Sequence, residues 1–132
     1  MQIGGGRTMK IICVDDSAMG ADHMIKQVKE VVPDAQIYAC VKPEDAVKQA
    51  KTDGCDVLLT EIVIGSGSTT GILMAERIKQ INPRVNIIFV TLCSAYEHAA
   101  RLLPMRISGY LTKPCQTEDL SYELHNLRFP AC

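Results

Sequence analysis

"DVLLTEIVIG", residues 56–65, is the stretch on which the fold turns. Apart from its ends and one carboxylate it is a near-continuous run of Val, Leu, Ile and Thr, the composition of a strand buried on both faces of a sheet. Glu61 interrupts it. A buried charge without a partner costs several kcal/mol, so either the strand ends at Glu61 and opens it to a cleft, or another group pairs with it. The rest of the chain has to supply one or the other.

Outward from that strand the pattern recurs. "KIICV" (10–14) is a short apolar run, followed by Ala21, Met24, Ile25, Val28 and Val31 at helical spacing as far as Pro33. "AQIYACV" (35–41) mixes polar and apolar residues as a sheet-edge strand does. Pro43 with Glu44 and Asp45 then has the composition of a first helical turn, in a helix reaching about Lys51. The strand at 55–61 leads through the loop "IVIGSGSTTG" to "ILMAERIKQI", whose Met74, Ala75, Ile78 and Ile81 share one helical face before Asn82 and Pro83 end it. "VNIIFVT" (85–91) is the most hydrophobic strand and is expected at the sheet centre, with a shorter helix from about Tyr96 to Leu103 stopped by Pro104. "SGYLT" (108–112) is the fifth strand. Thr117 is placed to cap the last helix, with Glu118 and Asp119 in its first turn and Leu120, Leu124 and Leu127 along one face.

Five strands alternating with five helices predict an α/β fold, a doubly wound parallel sheet covered on both faces. The 132 residues suit one domain over 9–128. Residues 1–8, with "GGG" and a second Met at position 9, read as an N-terminal extension or vector remnant, and 129–132 as a tail. With 14 basic and 15 acidic residues, the net charge of −1 lacks the basic clustering of a nucleic-acid or acidic-membrane surface. No apolar stretch approaches the roughly 20 residues that cross a bilayer, and the N-terminus has no apolar core of the signal-peptide kind, so a cytoplasmic location is expected. The six cysteines show no metal-type spacing and read as small buried thiols of a reducing compartment. Cys93 and Cys115 fall in loops on one rim, where a redox-sensitive pair would need Cα atoms within about 7 Å.

In open sheets of this kind, ligands bind at the carboxyl ends of the strands, where strand order reverses. Strand one ends in Asp15 and Asp16, strand three in Glu61, strand four in Thr91, and strand five runs through Thr112 into Lys113 and Pro114. Singly these residues have ordinary explanations: a helix cap, strand propensity, a turn. Together, three carboxylates suit Mg²⁺, while a hydroxyl and an ammonium suit the outer oxygens of a phosphoryl group.

At this point the chain resembles the receiver domains of bacterial two-component response regulators, over residues 9 to about 128. The pieces that carry the resemblance are "KIICVDDS", "DVLLTEIVIG", "IIFVT" and "GYLTKP". The resemblance implies a flavodoxin-like fold of strand order 2-1-3-4-5. It also implies an acceptor position at Glu61, phosphorylated in relatives by a partner histidine kinase with the help of Mg²⁺. The acidic pair maps to Asp15 and Asp16, which with Glu61 and the Val63 backbone carbonyl would be the metal ligands. The switch hydroxyl maps to Thr91, the switch aromatic to Tyr110 and the lysine to Lys113. The segment 91–114 is also similar to receivers that precede transcriptional output modules of the LytTR or related kinds, and no such module follows "LRFPAC" here.

Glu61 stands where the family has Asp. The additional methylene moves the carboxylate outward by about 1 Å and adds a rotatable bond, against the fixed geometry that in-line phosphoryl transfer needs. It also brings a negative oxygen toward Thr91 and Lys113, with a charge of −1 against about −1.5 to −2 for phosphate. Leu92, at a position small in most relatives, is expected to crowd the entrance. The loop "GSGSTT" lacks the family's usual Pro and reaches Gly71 about two residues late, so a mobile rim and a weakened Mg²⁺ site are expected. The expectation is an atypical receiver, not an enzyme, which at most accepts a phosphoryl group. Its partners are a histidine kinase or another signalling protein, and a second copy across helix four, strand five and helix five. It makes no direct nucleic-acid or membrane contact. Alternatives are a receiver still phosphorylated by its kinase, a flavodoxin-like small-molecule binder, and a Mg²⁺-dependent hydrolase. "VDDSAMG" puts two negative charges where a phosphate-binding loop presents free N–H groups.

Overall fold

The apolar runs identified above pair in parallel and form one sheet. In the computed structural model, which describes residues 2–3 and 7–127, its strands are β1 (Lys10–Val14), β2 (Gln36–Cys40), β3 (Val57–Thr60), β4 (Asn86–Thr91) and β5 (Gly109–Thr112). All neighbours are parallel and the order is 2-1-3-4-5. The connecting helices are α1 (Ala18–Val31), α2 (Pro43–Asp53), α3 (Thr70–Ile81), α4 (Glu97–Arg101, preceded by a 3₁₀ turn at Ser94–Tyr96) and α5 (Thr117–His125). This is the doubly wound α/β, flavodoxin-like fold.

The edge position of β2 follows its mixed pattern, since Gln36 and Tyr38 face solvent while every residue of β4 is buried. β4 is interior as its hydrophobicity demands, but the central place belongs to β3, which the expectation for β4 missed. Two cores result, one on each face. Ala46, Val47 and Ala50 of α2, Met74, Ala75 and Ile78 of α3 and Ala100 of α4 pack with Ile12, Leu58, Ile87 and Phe89. Met24 and Val28 of α1 and Leu120 and Leu124 of α5 pack with Ile11, Cys13, Leu59 and Ile88. Sheet strands buried on both faces need a helix layer on each, and the right-handed crossovers supply them.

The last helix starts one residue earlier than its composition suggested. Gln116, not Thr117, is the cap: its side chain accepts from the N–H of Asp119, whose carboxylate accepts the Gln116 N–H at 3.0 Å. Arg7, within the segment set aside as an extension, forks onto Asp56 with two bonds of 2.9 Å, and Arg7–Thr8 pairs antiparallel with Gln2–Ile3. The tail 129–132, and Cys132 with it, lies outside the described residues. Cys13, Cys40 and Cys55 are buried free thiols, as their apolar settings suggested.

Candidate functional site

β1, β3 and β5 end on the same rim, and their order brings Asp15, Glu61 and Lys113 together although long stretches of chain separate them. Glu61 is 6 % exposed, so the strand does not open it to solvent. The question raised by "DVLLTEIVIG" is answered by pairing: Lys113 Nζ lies 3.2 Å from Glu61 Oε1 and 2.5 Å from Asp15 Oδ2. Glu61 Oε2 accepts the N–H of Ile62 at 2.7 Å. Asp15, 2 % exposed, accepts through Oδ1 from the Ser17 N–H and hydroxyl at 3.1 and 3.3 Å. One ammonium thus serves two buried carboxylates. Burial works to lower the Lys113 pKa, but the hydrogen bond and charge of Asp15 and the charge of Glu61 outweigh it and hold it above the ordinary lysine value.

Asp16, adjacent in sequence, is exposed and stays outside this cluster. Hard carboxylate oxygens are the right donors for Mg²⁺, yet among the described residues no three acidic, His or Cys side chains are gathered to hold a metal ion. Asp15 and Glu61 turn toward Lys113, and Val63 stands 37 % exposed beside them. Asp15 and Glu61 are engaged by Lys113 in an ion triad, and the Mg²⁺ set expected from Asp15, Asp16, Glu61 and the Val63 carbonyl would draw on the same carboxylates.

Thr91 is buried at the end of β4, where its Oγ1 accepts the N–H of Cys93 at 3.3 Å. Tyr110, 5 % exposed, lies edge-on to Phe89, with ring centroids 6.3 Å apart at 67°, and donates its hydroxyl proton to the Cys93 carbonyl. Burial, with the Cys93 thiol and Glu97 carboxylate near it, pushes the phenol up to about 12. Both switch-type side chains therefore converge on the Cys93 backbone, which the sequence did not reveal because that contact depends on the path of a loop. Cys115 instead sits against Gln27, its thiol donating to Oε1 at 3.8 Å.

The structure adds two observations at the rim. Leu92, expected to crowd the entrance, is 74 % exposed. The loop after Glu61 is built as a turn: Ile64 bridges Gly67, whose N–H donates to the Ile64 carbonyl at 3.3 Å, and Gly65 takes φ +63°. Gly71 then passes so close that an added Cβ would lie 2.0 Å from the Glu61 carbonyl oxygen, and its N–H donates to the Ile62 carbonyl at 2.8 Å. The Lys113–Pro114 peptide after β5 is cis.

Fold and rim together define a doubly wound domain with an acid–lysine cluster at the point where strand order reverses. The family model "Response regulator receiver domain" matches residues 11–125, and the chain belongs to that family. It is similar to "Hybrid signal transduction histidine kinase G" of Dictyostelium discoideum, with 25% identity over 128 residues, 94% of this chain and 4% of that protein. The chain thus spans a small part of that relative's length. Its fold matches a CheY-like receiver domain protein from Methanospirillum hungatei JF-1 (TM-score 0.77, 17% identity, 89% of this chain and 91% of that one). It also matches a BeF3-activated DrrB receiver domain (TM-score 0.74, 20% identity, 89% and 95%). A two-component signalling module is the class these findings support, ahead of a flavodoxin-like small-molecule binder. Among the described residues no helix is long and apolar enough to cross a membrane.

Proposed function

We propose that this chain is an atypical receiver whose state is set by Glu61 itself instead of by an acquired phosphoryl group. The observation that carries the reading is Glu61 Oε1 at 3.2 Å from Lys113, with its Oε2 bonded to the Ile62 N–H at 2.7 Å. In-line attack on phosphorus needs a carboxylate oxygen aimed at the donor, and here one oxygen is directed to Lys113 and the other to the Ile62 N–H. A negative oxygen on Lys113 stands where a phosphoryl oxygen would, and the buried Tyr110 is turned inward, the pose that the switch hypothesis ties to output. A weakened Mg²⁺ site on Asp15, Asp16, Glu61 and the Val63 carbonyl belongs to this reading.

The domain is not an enzyme and acts by contact, with a histidine kinase or another cytoplasmic signalling protein as partner. A second copy across α4, β5 and α5 and a transcriptional output module of the LytTR or related kinds complete the proposal. Exposed Leu102 and Tyr122, 71 % and 69 %, favour contacts on the α4–α5 side. The presence of Asp15 paired with Lys113, and of Thr91 at the end of the neighbouring strand, favours a second reading, a receiver that its kinase still phosphorylates.

Intact-mass measurement after incubation with a small-molecule phosphodonor and Mg²⁺ separates the two. An unchanged mass is expected, and a labile gain of one phosphoryl group on Glu61 overturns the leading reading. Glu61→Gln keeps the shape and removes the charge. It is expected to alter partner binding or self-association, and unchanged association defeats the imitation of phosphate.

A further inference from the structure

Away from the rim, α2 and α3 lie side by side on one face of the sheet and leave between them an open groove of about 450 Å³. Its floor is apolar, formed by Pro43, Val47 and Met74, and Leu73 stands 63 % exposed at its edge. Lys48 and Lys51 from α2 and Arg77 from α3 line the walls, opposed only by Glu44 among the lining residues. Among the described residues these three cations are exposed and their side chains form no salt bridge or hydrogen bond.

The charge is unevenly divided. On α2, Asp45 lines the neighbouring groove between α1 and β2, and Asp53 lines the hollow beside β1 and β2. Asp45 and Asp53 of this helix therefore face the sheet edge, whereas Glu44 shares the α3 side with Lys48 and Lys51. In a chain whose net charge is −1, this is a local basic strip flanking apolar surface. A solvated helix face shows the two signs in balance, whereas an excess of three cations over one acid sets up a potential complementary to an acidic partner.

We propose that the α2–α3 groove is a docking site for an acidic amphipathic helix of a partner protein. Two parallel helices with apolar side chains between them accept a third helix through anchors at i, i+3, i+4 and i+7, and Thr70, Leu73, Met74 and Arg77 present that spacing on the α3 wall. Leu73 supplies the exposed apolar contact, and the cations meet Asp and Glu on the partner's flanks. A small molecule is a poorer occupant, because pockets for such ligands enclose most of the ligand surface and this groove is open along its length. A nucleic acid would need a broader cationic surface without the apolar floor.

The surface is distinct from the α4–β5–α5 face, so it stands or falls independently of the phosphate-imitation reading. A phage-displayed random peptide library, selected on the full chain alone and with the selected peptides then measured on the Lys48→Glu/Arg77→Glu double variant, tests it. Segments that combine Asp and Glu with apolar residues at helical spacing are expected to be enriched. The tightest peptide should shift the backbone amides of α2 and α3 in an isotope-labelled sample. It should weaken as salt rises, and lose affinity on the order of tenfold on the double variant. Both substituted side chains are exposed, so the far-ultraviolet circular dichroism of the variant should match the parent; Lys51→Gln with Leu73→Ser replaces it if not. The proposal is overturned by a selection yielding no acidic bias, by peptides that bind the double variant equally well, or by amide shifts confined to α4, β5 and α5. Self-association of the chain that the double variant abolishes also overturns it, since the occupant is then a second copy.

Discussion

The two ends of the sheet both hold a carboxylate against a cation, and they are built on opposite terms. At the amino ends of the strands, Asp56 receives Arg7 through two bonds of 2.9 Å and the Lys10 N–H at 2.8 Å. The Arg7 side chain there is 48 % exposed. At the carboxyl ends one lysine, 25 % exposed, faces two carboxylates that are 3 % and 8 % exposed. The first is a matched ion pair at the surface, worth about 0–1 kcal/mol. The second is an unmatched charge held in the interior, where desolvation makes each group depend on its partner. Stability alone would not select the second arrangement.

The sharpest way to break that contrast is Lys113→Met. It leaves Asp15 and Glu61 buried without a cation, and a loss of about 3–5 kcal/mol is expected in urea denaturation near neutral pH. An effect no larger than that of Arg7→Ala would erase the distinction between the ends.

A pH series sharpens it next. Lys113 is held above its ordinary value of 10.5, Tyr110 is pushed from 10.0 up to about 12, and burial raises Cys13 and Cys55 to about 12 and Cys40 to about 11 from 9.0. Each group keeps its proton longer in the folded state than in the unfolded one. The stability linked to them is full below the unfolded values and is lost as pH rises through the folded ones. The urea midpoint is therefore expected to fall between about pH 9 and 12, starting with the thiols and continuing through Lys113 and Tyr110. The Arg7–Asp56 pair persists through this window because guanidinium does not titrate there. A midpoint flat across the window contradicts the assignment.

Tyr110→Phe removes the hydroxyl from its part-buried contact with the Cys93 carbonyl and is expected to cost about 1 kcal/mol by the same denaturation assay. The smallest effect is that of Arg7→Ala, below about 1 kcal/mol and fading further in high salt.

Much of this was legible from residue order. The alternation of apolar runs with helical stripes determines five strands and five helices, and placing Asp15, Glu61 and Lys113 at strand ends is enough to bring them together once the sheet is parallel. The strand order came from the family resemblance, because periodicity alone ranks β4 by hydrophobicity and cannot tell second from central. The Gln116 cap was readable as a Gln three residues before an Asp, but Thr117 has the stronger intrinsic preference and drew attention. What stayed hidden depends on tertiary paths: Asp16 pointing away while Asp15 is enclosed, Thr91 and Tyr110 meeting the backbone of Cys93, and Arg7 reaching back to Asp56.

Gly71 sets how deep that acid can sit. Because α3 begins against the carbonyl of Glu61, the backbone at this position has no room to retreat and absorb the longer side chain. The additional length is taken up by the carboxylate folding back onto its neighbour's amide. The glycine is therefore a depth gauge: bulk at this point, remote from both charged tips, would drive Glu61 forward and reset its separation from Lys113.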